Sequence, residues 1–109
     1  MAKRKKPRNQ SPKSYYPLTE VLQNINNDEY YITRKARSTA FSDFGWQTDD
    51  VIKAYQLLRP THFYNTLSSN DKPGFVLDVY KARINGEDVY THFFIDDDHK
   101  LIINSFKQL

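Results

Sequence analysis

Lys81, Arg83, Tyr90, His92, Ser105 and Lys107 recur at spacings that put them on one surface if their segments are β-strands. Cationic, phenolic and imidazole groups brought to one spot suit the cleavage of a phosphodiester in RNA. That reaction needs a group to take the proton from the 2′-hydroxyl and an acid to protonate the leaving 5′-oxygen. It also needs cations where charge builds on the phosphorane oxygens. Lys107, Lys81 and Arg83 supply a positive field. His92, with an ordinary pKa of about 6.5, suits either acid or base. Tyr90 in a cationic setting is expected to have a lowered pKa and to shuttle a proton. This chemistry requires neither metal nor cofactor.

The elements that must position these groups follow from periodicity. From Phe75 onward the apolar pattern repeats every two residues, which predicts strands over 75–83, 89–96 and 101–107. Asn85-Gly86 is a strong two-residue hairpin signal. That turn pairs Lys81 with Tyr90 and Val79 with His92. A second loop of two or four residues pairs Asp96 with Leu101, His92 with Ser105 and Tyr90 with Lys107. Directly paired residues share a face. Lys81, Tyr90 and Lys107 then form one row across three strands spaced about 4.8 Å apart. The same face turns apolar at its far end, through Leu77, Phe94, Leu101 and Ile103. The opposite face holds Val76, Tyr80, Ala82, Val89, Thr91, Phe93, Ile95, Ile102 and Phe106. It is expected to bury against helices, with Asp78 and Asn104 needing partners there. The bland alternative is a half-exposed sheet showing Lys, Arg, Tyr and His to water. An odd-numbered loop would break the register.

Helices come first in the chain. Leu18, Val21, Leu22 and Ile25 follow helical spacing, predicting a helix over 17–26. Tyr30-Tyr31-Ile32 reads as a short extended piece. Thr33 suits the N-cap of a second helix whose Ala36, Ala40, Phe41 and Phe44 face inward, with Gly45 as its left-handed end and Trp46 packed at the corner. Thr48 opens a third helix with Val51, Ile52, Tyr55 and Leu58 along one stripe and Arg59-Pro60 after it. A short fourth helical turn is expected through Phe63, Tyr64 and Leu67, followed by a polar loop over 68–74. Helices followed by an antiparallel meander define an α+β class.

At 109 residues, 39% hydrophobic and 27% charged, the chain is expected to form one domain over 15–109. Residues 1–14 read as a flexible basic arm. Residues 1–13 hold six basic residues and no acidic one, leaving ten basic against 13 acidic residues beyond. The arm suits a polyanion tether or a merely solvated charge run. The rest is no general nucleic-acid binder and needs a local basic patch to hold RNA. Without cysteine, disulfides and thiolate metal sites are excluded. No apolar run approaches the roughly 20 residues of a membrane span. Asp96-Asp97-Asp98-His99 invites a metal reading, but aspartate-rich hairpin tips usually form Asx turns. His62, beside Phe63 and Tyr64, either reaches the patch or belongs to a helix start.

Taken together, Phe63-Tyr64, Asp78-Val79-Tyr80-Lys81-Ala82-Arg83, Gly86, Val89-Tyr90 and Ser105-Phe106-Lys107 resemble the MqsR toxins, the motility quorum-sensing regulator toxins of bacterial toxin–antitoxin pairs. Thr33-Arg34 through Asp43 and the helix over 51–58 are similar in order and spacing. The resemblance covers roughly residues 18–109. It implies a RelE-like α+β fold and a cytoplasmic, ribosome-independent mRNA interferase. Such toxins cleave single-stranded mRNA at short sequences, typically around GCU, and a cognate antitoxin neutralises them. The family's proposed catalytic set is two lysines, a glutamine and a tyrosine. The tyrosine matches Tyr90 and one lysine matches Lys107. Where the family has its other lysine, after Phe-Tyr, this chain has Asn65, and where it has glutamine, Leu77. The turn between the last two strands is about two residues longer, and His92 falls at a lysine-type position. The resulting expectation is a catalytic set of Tyr90, Lys107, His92 and Lys81, with Arg83, Tyr64, Asn65 and His62 contacting RNA. The alternatives are a non-catalytic RNA- or protein-binding module that keeps the fold, and an acidic domain that docks on a basic partner.

Overall fold

The structure, a computed structural model, describes residues 13–68 and 75–109. The basic arm up to residue 12 and the polar loop over 69–74 lie outside the described residues. Three helices are α1 (Leu18–Asn26), α2 (Arg34–Phe44) and α3 (Thr48–Gln56). Five strands are β1 (Tyr30–Ile32), β2 (Phe63–Ser68), β3 (Val76–Ile84), β4 (Glu87–Ile95) and β5 (Leu101–Gln108). They form one mixed sheet in the order β1-β5-β4-β3-β2, with β1 parallel to β5 and every other pair antiparallel. The class is α+β. Among the described residues no helix is long and apolar enough to cross a membrane.

Local chemistry accounts for the helix ends. The Thr33 side chain accepts from the amide of Ala36, capping α2, and Gly45 closes it at φ 72°. At the start of α3 the Gln47 amide donates to Asp50 Oδ2 at 2.9 Å. Val21 and Ile25 of α1, Ala36 and Ala40 of α2, and Val51, Ala54 and Tyr55 of α3 bury against one face of the sheet. That face contributes Tyr80, Ala82, Val89, Phe93, Leu101, Ile103 and Phe106. Full burial of Phe93 or Phe106 contributes roughly 2–3 kcal/mol each relative to exposure. Tyr55 sits among them, its hydroxyl paired with Thr91 Oγ1 at 2.6 Å. Trp46 lies 4.7 Å from Phe44 and 6.0 Å from Phe106, ring to ring, as its corner position predicts. Phe41, expected inside, is 61% exposed because the small Ala36 and Ala40 carry the contact of α2 with the sheet.

Two further expectations change. Phe63 to Leu67 is not a helical turn. Pro60–His62 forms a single 3₁₀ turn, and the chain then enters β2. Pairing with β3 gives the backbone of this aromatic- and threonine-containing segment a ladder that a lone helical turn cannot match. The loop between β4 and β5 is also odd, spanning five residues (96–100), closed by the Asp96 amide donating to the Lys100 carbonyl at 2.9 Å. Ile95 therefore pairs with Leu101, and Phe93 with Ile103. Leu101 and Ile103 go to the core and Ile102 to the other face, the reverse of the sequence reading. A β-bulge between the Phe93 and His92 pairs inserts Asn104 as an extra residue and restores the expected register. Beyond it His92 pairs with Ser105 and Tyr90 with Lys107.

The outer side of β5 is closed along its length. β1 covers Leu101–Ile103. Beyond it, α2 and its cap substitute for a further strand. The Thr33 amide donates to the Ile103 carbonyl and its hydroxyl to the Asn104 carbonyl. Thr39 Oγ1 donates to the Phe106 carbonyl at 2.6 Å, and the Gln108 amide donates to Asp43 at 2.9 Å. This satisfies edge groups that would otherwise attract another chain.

Asp78 found partners. Although fully buried, it accepts from the amides of Tyr15 (3.0 Å) and Tyr16 (2.7 Å) and from Thr66 Oγ1 (2.7 Å). The segment that precedes α1 is thereby clamped to β3.

Candidate active site

The sheet face away from the helix core presents three rows. The first runs Tyr64, Lys81, Tyr90, Lys107 across β2 to β5. Tyr64 is the extra residue of a bulge between the Phe63 and Asn65 pairs, which turns its ring outward. Lys81 Nζ lies 3.4 Å from the centre of the Tyr64 ring, and Lys107 Nζ 5.2 Å from that of Tyr90. Cations and aromatic faces therefore alternate along the row. The second row is Asn65, Val79, His92 and Ser105. The third is apolar, with Leu67 opposite Leu77 and Phe94 opposite Ile102.

A groove of about 570 Å³ runs along this face. Tyr90, His92, Asn104, Ser105 and Lys107 line it from β4 and β5, and Leu67 and Leu77 from the β2–β3 side. Lys35 and Thr39 of α2 line its remaining wall. Lys35 escaped the sequence reading because it lies on α2, far along the chain from the hairpin strands that line the rest of the groove. The signal available was only its place one turn before Thr39 on the polar side of α2.

At the centre, Tyr90 Oη and His92 Nδ1 are 3.2 Å apart, and His92 Nε2 is 3.1 Å from Asn104 Nδ2. The imidazole is held at both nitrogens. Burial lowers the His92 pKa below its ordinary value, and Lys107 and Lys35 lower it further. His92 is therefore mostly neutral at pH 7. Burial raises the Tyr90 pKa. This corrects the expectation of a lowered value: desolvation of the phenolate outweighs the nearby cations. Tyr90 keeps its proton at neutral pH and suits the role of acid.

The remaining predicted residues are less central. Arg83 shares the open face, but its Nη1 bonds Asp88 at 2.8 Å in an exposed pair, and it does not line the groove. His62 accepts the Arg59 amide at Nδ1 (3.0 Å) and stays with the 3₁₀ turn, away from the groove. Asn65 lies in the His92 row, and its Oδ1 is buried without a partner among the described residues. In the acidic turn, Asp96 Oδ1 accepts from the amides of Asp98 and Lys100, each at 2.9 Å, an Asx-type arrangement.

A family model described as the motility quorum-sensing regulator, toxin of MqsA, matches residues 13–108. A search for similar sequences among curated proteins found no match.

Proposed function

The chain belongs to this family of toxins of toxin–antitoxin pairs, and on that premise we propose that residues 15–109 form a RelE-like, metal-independent endoribonuclease acting on single-stranded mRNA in the cytoplasm. A cognate antitoxin neutralises it. The observation that carries this reading is the contact of Tyr90 with His92 in a groove walled by Lys107 and Lys35.

The RNA backbone follows the Tyr64–Lys81–Tyr90–Lys107 row. Bases stack on Tyr64, as single-stranded RNA commonly does on exposed aromatics. Lys107 and Lys35 neutralise charge at the scissile phosphate, and Lys81, beside the Tyr64 ring and outside the groove lining, holds an adjacent phosphate. The 2′-oxygen passes its proton to solvent water and bonds phosphorus, while the bond from phosphorus to the 5′-oxygen breaks. Tyr90 gives its proton to that leaving oxygen. The resulting phenolate is held by the His92 Nδ1–H until the 2′-proton restores it through solvent. The products are a 2′,3′-cyclic phosphate and a 5′-hydroxyl. Arg83 and the basic arm add long-range attraction for the polyanion.

The test is incubation of purified protein with single-stranded RNA in EDTA. Fragments ending in cyclic phosphate support the reading, and intact RNA at high protein concentration refutes it. Leu77 and Asn65, replacing the family's glutamine and lysine, favour a second reading, a non-catalytic RNA-binding module. That module shows salt-sensitive binding without cleavage.

A further inference from the structure

We propose that Asn104 is a positioning residue that fixes the ring proton of His92 on Nδ1, facing Tyr90. The proposal rests on the cleavage reading only for its consequence in catalysis. Asn104 is the inserted residue of the β5 bulge. Without a bulge, strand alternation would send a side chain between Ile103 and Ser105 to one face or the other as a matter of parity. The bulge instead turns the Asn104 carboxamide toward the imidazole and into the groove. Its backbone is held there by the Thr33 hydroxyl, which donates to the Asn104 carbonyl at 3.3 Å.

A carboxamide nitrogen carries two hydrogens and only donates. Placed 3.1 Å from Nε2, it donates to the ring's lone pair there. The ring proton then belongs on Nδ1, from which it is donated to Tyr90 Oη at 3.2 Å. The phenol hydrogen is left free for a third group, the leaving oxygen. Rotation of the carboxamide by half a turn would present Oδ1 instead. Nε2 would then carry the proton, and Nδ1 would draw the phenol hydrogen inward. The same geometry opposes a doubly protonated ring, which would set N–H against N–H₂. The groups facing His92 act in one direction. Lys107 on β5 and Lys35 on α2 disfavour the imidazolium. Uncharged Val79 and Ser105 flank it across the sheet, and Tyr90 is its charged-state-neutral neighbour on β4.

The test is long-range ¹⁵N–¹H spectroscopy of the labelled full chain across a pH series, with cleavage measured on the same samples. Wild-type His92, when neutral, is expected to carry its proton on Nδ1. Asn104→Asp, nearly isosteric and able only to accept, is expected to move that proton to Nε2 and raise the His92 midpoint by one pH unit or more. Above that midpoint its cleavage rate is expected to fall at least tenfold. A wild-type ring protonated on Nε2 would overturn the proposal, and this reading needs no variant to fold. Equal midpoints in wild type and Asn104→Asp would overturn it as well. The predicted tautomer in a protein that cleaves no RNA would uphold the positioning and remove the endonuclease reading.

Discussion

Replacing Tyr90 with phenylalanine removes one oxygen and little else. The ring remains on the open face beneath Lys107, and only the contact with His92 Nδ1 is lost. That hydrogen bond is half-buried, so its loss lowers stability by about 1 kcal/mol. For a domain of this size the melting temperature then falls by about 5 °C. Loss of a general acid is a different order of effect, about 10²–10⁴-fold in rate. At 1.36 kcal/mol per decade this is roughly 2.7–5.5 kcal/mol of barrier. Single-turnover cleavage of a short fluorescent single-stranded RNA in EDTA, beside a thermal melt, separates the two. The expected result is at least a hundredfold slower cleavage with a melt lowered by only about 5 °C. Cleavage within threefold of wild type would show that Tyr90 transfers no proton, and the mechanism would fail at its centre.

Other outcomes follow from the same geometry. Lys107→Ala, at an exposed site, is expected to leave the melt unchanged and slow cleavage at least tenfold, in the same assay. Asp78→Ala strands two backbone amides and a hydroxyl, costing about 3 kcal/mol, so calorimetry is expected to show a melting temperature about 15 °C lower. The pH–rate profile is expected to be a broad plateau. Its alkaline limb lies above about 10, since the Tyr90 pKa is raised and its proton is needed at the leaving oxygen. Stability is expected to decline as pH rises past about 10. Burial, then Tyr15 and Asp78, raise the Tyr16 pKa to about 12, so the unfolded chain loses its proton first and gains in relative stability. Chemical denaturation at pH 8 and 11 checks this.

Much of the site was legible because strand alternation is a parity rule. Asn85 and Gly86, at φ 51° and 81°, adopt the two left-handed turn positions that the dipeptide announces, and this fixed β3 against β4. The link from β4 to β5 followed no such rule. Its five-residue turn is out of phase, and the Asn104 bulge brings it back. Two opposite irregularities left the Tyr90–Lys107 pair as expected while exchanging the faces of Leu101, Ile102 and Ile103. Neither irregularity has a local sequence signature as strong as Asn-Gly. Lys35 and the pairing of β1 with β5 were hidden for another reason. Both join the sheet through contacts distant in sequence, which alternation within a hairpin does not report. The raised pKa of Tyr90 depends on three-dimensional burial, which nearby charges in the sequence do not reveal.

The closure of β5 by β1 and α2 gives the sheet two unequal halves. Amides of β5 and β4 lie between paired neighbours, so their exchange with deuterated water is expected to need opening of the whole sheet. Among the described residues β2 has only β3 beside it, so its amides are expected to exchange through local opening. The groups proposed to break the bond, Tyr90, His92 and Lys107, stand on the slow-exchanging half. Tyr64, proposed to meet the bases, stands on the fast one. Under the proposed function a stiff cutting edge adjoins a compliant rest, able to receive different bases without disturbing the alignment of the chemistry beside it.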